Sequence, residues 1–201
     1  MKKRYLVVLL FLTQFTLAEV KNDSKAPLFT GIDSYGNKIS LESLKGKNII
    51  LEWTNHECPF VAKHYKTGNM QSTQEFSASK GAIWITIISS AEGTQGYVSS
   101  EEANTLSSSR NAIPNHVILD EEGVIGKLYG AKTTPHMYII DKKGFLKYQG
   151  AIDDAGGRGF MFKDLSDANN YVKSALSQLQ EKIEISNKVT KPYGCSVKYK
   201  S

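Results

Sequence analysis

The stretch 48-NIILEWTNHECPFVAKHY-65 decides how the rest of the chain is read. NIILEW is a continuous apolar run with β-branched residues, the pattern of a strand buried on both faces. Polar residues end it, and Cys58 and Pro59 follow. Proline suits the first turn of a helix, where its missing N–H leaves no bond unmade. A helix is therefore expected from Pro59, interrupted near Gly68-Asn69 and resuming to Ser79. A cysteine after the C-terminal end of a buried strand, opening a helix, sits where open α/β sheets place their chemistry. There it faces unpaired N–H groups and the positive end of the helix dipole, and both favour thiolate.

Such surroundings lower a thiol pKa from about 8.5 into a range of about 3.5 to 7.5. A fall to about 6 raises the thiolate fraction at neutral pH roughly thirtyfold, but intrinsic nucleophilicity drops roughly tenfold. The net gain in attack rate is a few-fold. The larger benefits are a better leaving group and easier capture in a mixed disulfide. Fast reduction of a peroxide needs more, namely donors for the charge developing on its oxygens.

Outward from this stretch, AIWITIISS (82–90) reads as a second buried strand, and SSEEANTLSSSR (99–110) as a helix opening at Ser100. HVILD (116–120) is a third strand, followed by a helical turn in VIGKLYG. HMYIID and FLKYQGAI form a hairpin across KKG. Val172, Ala175, Leu176, Leu179 and Ile183 mark one face of a last helix, with Asp167 as its expected N-cap. Turn signals stand at Tyr35-Gly36-Asn37 and Lys45-Gly46-Lys47. The alternation predicts one α/β domain over residues 19–201, a mixed sheet covered by helices on both faces, with an extended tail over 184–201. Thr134-Pro135, directly before a strand, is a candidate cis-proline turn.

Residues 1–18 have a basic start, MKKRY, a short apolar run, LVVLLFL, and small residues before Glu19. This is the pattern of a secretory signal peptide. Losing Lys2, Lys3 and Arg4 takes the formal charge from +5 to +2. No basic stripe with interleaved aromatics is left for nucleic acid. Export to a bacterial periplasm, or full secretion, is expected, with no stable membrane association after processing. Outside the cytosol two cysteines can form a disulfide and keep it.

With these pieces in place, the chain resembles a thioredoxin-fold redoxin of the peroxiredoxin-like, AhpC/TSA-related family. DSYGNKISLESLKGKNIILEWTN, ECPFVAKHYKTGNMQ, GKLYGAKTTPHMYIIDKKGFLKYQGAIDD and TKPYGCSVKY carry the resemblance, in the family's order. It implies a thioredoxin-like fold, Cys58 as the active-site thiol, and a cis Pro135 packed against it, with Thr134 helping to shape the pocket. The GCS tail around Cys195 is similar to a subgroup of peroxiredoxin-like proteins. Two departures stand out. Cys58 is followed by Pro59, Phe60 and Val61, so no CxxC partner exists. Leu51 and Asn55 replace the proline and threonine of the peroxidatic PxxxTxxC motif; an amide lacks the dual donor–acceptor character of a hydroxyl. Arg110 and Arg158 are the arginines remaining after processing.

Cys195 has two readings. As a resolving cysteine it attacks an oxidised Cys58; as a structural one it staples the tail, and closing so long a loop is worth about 5 kcal/mol. Gly194 beside it favours a mobile, reactive thiol. His56, His64 and His136 raise a third possibility, copper or zinc held with Cys58, although no compact ligand pair is present; His56 or His136 would otherwise tune the thiolate. Trp53 is expected in the core, Tyr193 and Tyr199 packed on the domain, and Asp153-Asp154 in a surface turn without chemistry.

The leading expectation is an exported thiol oxidoreductase. Cys58 attacks a peroxide or a protein disulfide, Cys195 resolves, and Thr134, Pro135 and Asn55 shape the pocket. No organic cofactor or metal is needed, since a dithiol reductant protein supplies the electrons. The alternatives are a non-catalytic thioredoxin-fold binding module with a structural disulfide, and a metal-binding redoxin.

Overall fold

The computed structural model describes residues 20–156 and 164–200. The expected signal peptide and Arg158 lie outside these residues. Nine strands, five α-helices and two 3₁₀ turns follow in chain order among them. β1 (Thr30–Ile32) and β2 (Lys38–Ser40) make an antiparallel hairpin. Its turn is closed by Asp33, whose carboxyl accepts the N–H groups of Tyr35 and Asn37 while Gly36 takes a positive φ of 83°.

The central sheet holds β3 (Ile49–Trp53), β4 (Ile83–Ile88), β5 (His116–Leu119), β7 (His136–Ile140) and β8 (Leu146–Gly150). Their spatial order is β5-β4-β3-β7-β8; β3, β4 and β5 run parallel, and β7 and β8 antiparallel to their neighbours. β6 (Thr133–Thr134) and β9 (Cys195–Ser196) form a separate antiparallel pair.

All five residues of β3 are buried, because both sheet faces are covered. The side chains alternate. Ile49, Leu51 and Trp53 join a core with Tyr129, Tyr138 and Ile125, beneath the N-terminal hairpin and α4 (Val124–Tyr129). Ile50 faces the opposite core, with α1 (Pro59–Lys66), α2 (Asn69–Ser79) and α5 (Tyr171–Glu181). Trp53 is in the core as expected. α3 (Ser100–Ser109) packs along the β5 side through Ala103 and Leu106 against Ile88 and Val117.

α3 opens at Ser100 as expected, capped by Ser99, which exchanges the two bonds of a capping box with Glu102. The last helix differs from the sequence reading. Asn170, not Asp167, caps α5: its side chain accepts the Lys173 N–H, while Asp167 ends a 3₁₀ turn. That helix stops at Glu181, leaving Ile183 outside it and 53% exposed.

Candidate active site

The loop after β3 is held at both ends before it delivers Cys58. The Thr54 N–H donates to the Ile87 carbonyl at 3.0 Å, and the Cys58 N–H to the Asn55 carbonyl at 3.1 Å. The Asn55 side chain accepts from Glu57 N–H at 2.9 Å and donates to the Gln95 carbonyl at 3.2 Å. It therefore ties the loop that carries Cys58 to residues 95–96. Gly96 is needed at this junction, because a Cβ there would collide with the Asn55 amide.

Cys58 is the N-cap of α1 with extended backbone, and Pro59 occupies the first helical position. Its sulfur meets two other segments. The Thr134–Pro135 peptide is cis, and the Cys58 thiol donates to the Thr134 carbonyl at 3.1 Å. The tail strand β9 pairs Cys195 with Thr134, which brings the second thiol to the first. Gly194 fits where nothing larger would: φ is +129°, and a Cβ would strike the Thr134 carbonyl. Both cysteines are free thiols. Cys58 is fully buried beneath this tail, and Cys195 is partly exposed. A groove of about 350 Å³, lined by His56, Tyr65, Lys66 and Arg110, lies near the end of β3 but does not include Cys58.

The electrostatics separate the two sulfurs. Burial opposes ionisation of Cys58, yet hydrogen bonds from the Cys195 thiol, the Val61 and Cys195 backbone N–H groups and the Thr134 side chain outweigh it and hold its pKa below the ordinary thiol value. Burial and the neighbouring Cys58 push Cys195 the other way, up to about 11. The groups that act most strongly on Cys58 include no histidine. His136 is buried; burial first, and nearby Lys132 second, lower its pKa to about 3. Its Nδ1 accepts from Lys132 N–H, with the Tyr138 hydroxyl 3.2 Å away, so it stays a neutral packing residue.

Among the described residues no group of three or more His, Cys, Asp or Glu is placed to hold a metal ion. No helix among them is long and apolar enough to cross a membrane. Leu51 is core, and Arg110 lies over the Tyr65 ring at 4.0 Å.

Two polar clusters escaped the sequence reading. Glu52, fully buried in β3, accepts from Tyr65 O–H, Trp84 Nε1–H and Thr86 O–H at 2.9–3.2 Å. These bonds offset the cost of sinking a carboxyl into the sheet. A lone acid inside NIILEW was the available signal. Asp153, expected in a surface turn, is buried and bonded to the tail. Tyr193 and Tyr199 pack on the domain as expected, Tyr193 edge-on to Phe60 and Tyr199 bonded to the Ala131 carbonyl.

The AhpC/TSA family matches over residues 23–149, more than half of the chain, and the matched span ends before the Cys195 tail. No curated protein matches. Among solved structures, an uncharacterized conserved protein from Geobacillus kaustophilus superposes with a TM-score of 0.76 at 24% identity, covering 91% of this chain and 94% of that one. A hypothetical protein from Sinorhizobium meliloti 1021 gives 0.76 at 19%, covering 91% and 97%. The thioredoxin domain of a thiol-disulfide oxidoreductase from Bacteroides vulgatus gives 0.53 at 19%, covering 82% and 98%. With the sheet order, the cis-proline loop and the N-capping cysteine already established, the chain belongs to the AhpC/TSA family and has a thioredoxin-like fold.

Proposed function

We propose that this protein is an exported thiol–disulfide oxidoreductase in which Cys58 is the nucleophile and Cys195 the resolving cysteine. The observation that carries the reading is the contact between two thiols remote in sequence, which lowers one pKa and raises the other to about 11. The Cys58 thiolate attacks one sulfur of a substrate disulfide; that bond breaks, and the other sulfur leaves as thiolate. Cys195 then loses its proton and attacks the Cys58 sulfur of the mixed disulfide. The Cys58–Cys195 bond forms and the substrate's second thiolate departs. The substrate disulfide has gained two electrons, and a dithiol reductant protein restores the pair.

The pKa pattern suits this order. Part of what keeps Cys195 protonated is the neighbouring Cys58. Once Cys58 is in a mixed disulfide its charge is gone, and Cys195 ionises more readily at the step that needs it. Thr134 and Pro135 frame the reacting sulfur. A disulfide is favoured over a peroxide because Leu51 is core, the Asn55 side chain is committed to its loop, and Arg110 lies over Tyr65. Among the described residues, these three side chains are thus engaged elsewhere rather than aimed at a peroxide's developing charge. The signal-peptide pattern and the cysteine pair support the periplasm or full secretion as the location.

Challenge of the reduced protein with oxidised glutathione, and separately with hydrogen peroxide, tests the reading. The native chain should close an intramolecular disulfide. Cys195→Ser should stop at a glutathione adduct on Cys58, and Cys58→Ser should give neither product. A folded native chain whose Cys58 resists both oxidants contradicts the proposal and leaves the binding-module reading. A sulfenic acid in Cys195→Ser that forms faster with peroxide than the adduct forms with glutathione moves the substrate class to peroxides.

A further inference from the structure

The tail that carries Cys195 is fastened two residues earlier, at Tyr193. The Tyr193 hydroxyl donates to Asp153 Oδ1, and His64 Nε2 lies 3.0 Å from the same hydroxyl. The Asn69 amide spends its two hydrogens on His64 Nδ1 at 2.8 Å and Asp153 Oδ2 at 3.0 Å. The Ala155 N–H donates to Asp153 Oδ1 at 3.0 Å. One proton arrangement satisfies the set: a neutral His64 with its proton on Nε2, donating to Tyr193 while Nδ1 accepts from Asn69. His64 and Asp153 are 1% and 2% exposed. The Tyr193 ring lies edge-on to Phe60, and a Cβ at Gly156 would collide with it.

This cluster joins three parts of the molecule. His64 lies on α1, whose N-cap is Cys58; Asn69 opens α2; Asp153 follows β8. Its catch is the residue two before Cys195. The nucleophile has no exposed surface beneath this tail, so an external disulfide reaches Cys58 only when the tail lifts, and Cys195 resolves only when it returns.

We infer that His64, Asn69 and Asp153 are positioning residues that form a latch for the Tyr193 hydroxyl, seating Cys195 on Cys58 and gating the access of external disulfides to Cys58. The latch rests on the oxidoreductase reading above, and it sets the balance between that reading's two steps. Loosening it exposes Cys58 and lowers the local concentration of Cys195, so capture and closure move in opposite directions. Loss of one hydrogen bond to a buried carboxylate changes such an equilibrium by roughly tenfold or more.

The test measures the two steps separately on the full chain with oxidised glutathione, by acid quench and mass spectrometry. Capture is followed in the Cys195→Ser background, and closure in the chain with both cysteines. Tyr193→Phe keeps the ring against Phe60 and removes only the hydroxyl; Asp153→Asn removes the acceptor charge at the same size. The expected result for Tyr193→Phe is capture faster and closure slower, each by roughly tenfold. Asp153→Asn should match it, and should it not fold, Tyr193→Phe decides alone. Unchanged rates in Tyr193→Phe, with the native chain active, overturn the latch and leave the oxidoreductase reading standing. Both steps slowed together also overturn it, as damage rather than gating. A native chain that neither captures nor closes overturns both.

Discussion

Two short strands deliver the two sulfurs, and they are built in opposite ways. β3, which leads to Cys58, has five buried residues and a hydrogen-bonded neighbour on each side. β9, which carries Cys195, has two residues, one half-buried and one exposed, and one partner strand of equal length. Beyond it the tail is held by single bonds: Val197 N–H to the Lys132 carbonyl, Ala91 N–H to the Lys198 carbonyl and Tyr199 O–H to the Ala131 carbonyl. The Lys200–Glu122 ion pair is exposed and adds little. Local opening free energies follow such differences, from near zero at lightly packed segments up to the global stability in the core. By that rule the tail is expected to open at a lower free-energy cost than β3.

The largest expected effect is on β3. Trp53 is fully buried between Tyr129 and Tyr138, with ring centroids 5.6 and 5.1 Å away, and its Nε1–H donates to Ser89. Trp53→Ala should cost about 3–5 kcal/mol in urea unfolding. Tyr199→Phe, in the tail, should cost about 1 kcal/mol or less. Equal losses would show that the tail is as much a part of the core as β3, which would break the contrast.

A smaller effect sharpens the link between the two regions. The Cys195 thiol is the leading contributor among the hydrogen bonds that lower the Cys58 pKa. Cys195→Ala removes it, so the midpoint of the Cys58 alkylation rate against pH should move upward, by about one unit if the bond is worth about 1.4 kcal/mol. The sign follows from the donor stabilising the thiolate: without it a higher pH is needed for the same ionisation. A midpoint that stays in place would mean that the helix start and backbone N–H groups suffice.

How much of this was legible in the sequence depends on the range of each signal. β3, β4 and β7 were readable because burial on both faces leaves an unbroken apolar run. Cys58 at the head of α1 followed from Pro59. Its contact with Cys195 did not, since it depends on a two-residue strand pairing with Thr133-Thr134, and such a strand has no periodicity. Asp153 was misread because two adjacent acids resemble a surface turn; nothing local announces that Tyr193, Asn69 and His64 converge on one of them. Motif position singles out Asn55, but nothing local in the sequence announces its bonds to Glu57 and to the Gln95 carbonyl forty residues on.

The most direct test of the central claim is the midpoint reduction potential of the Cys58–Cys195 disulfide. The full chain is equilibrated in glutathione or dithiothreitol buffers, and the oxidised fraction is read by thiol trapping. A reactive pair, with a stabilised Cys58 thiolate as leaving group and a lightly held tail, should have a midpoint above about −300 mV and interconvert fully. A midpoint well below that value would make the bond a permanent staple and would contradict a catalytic role for either sulfur.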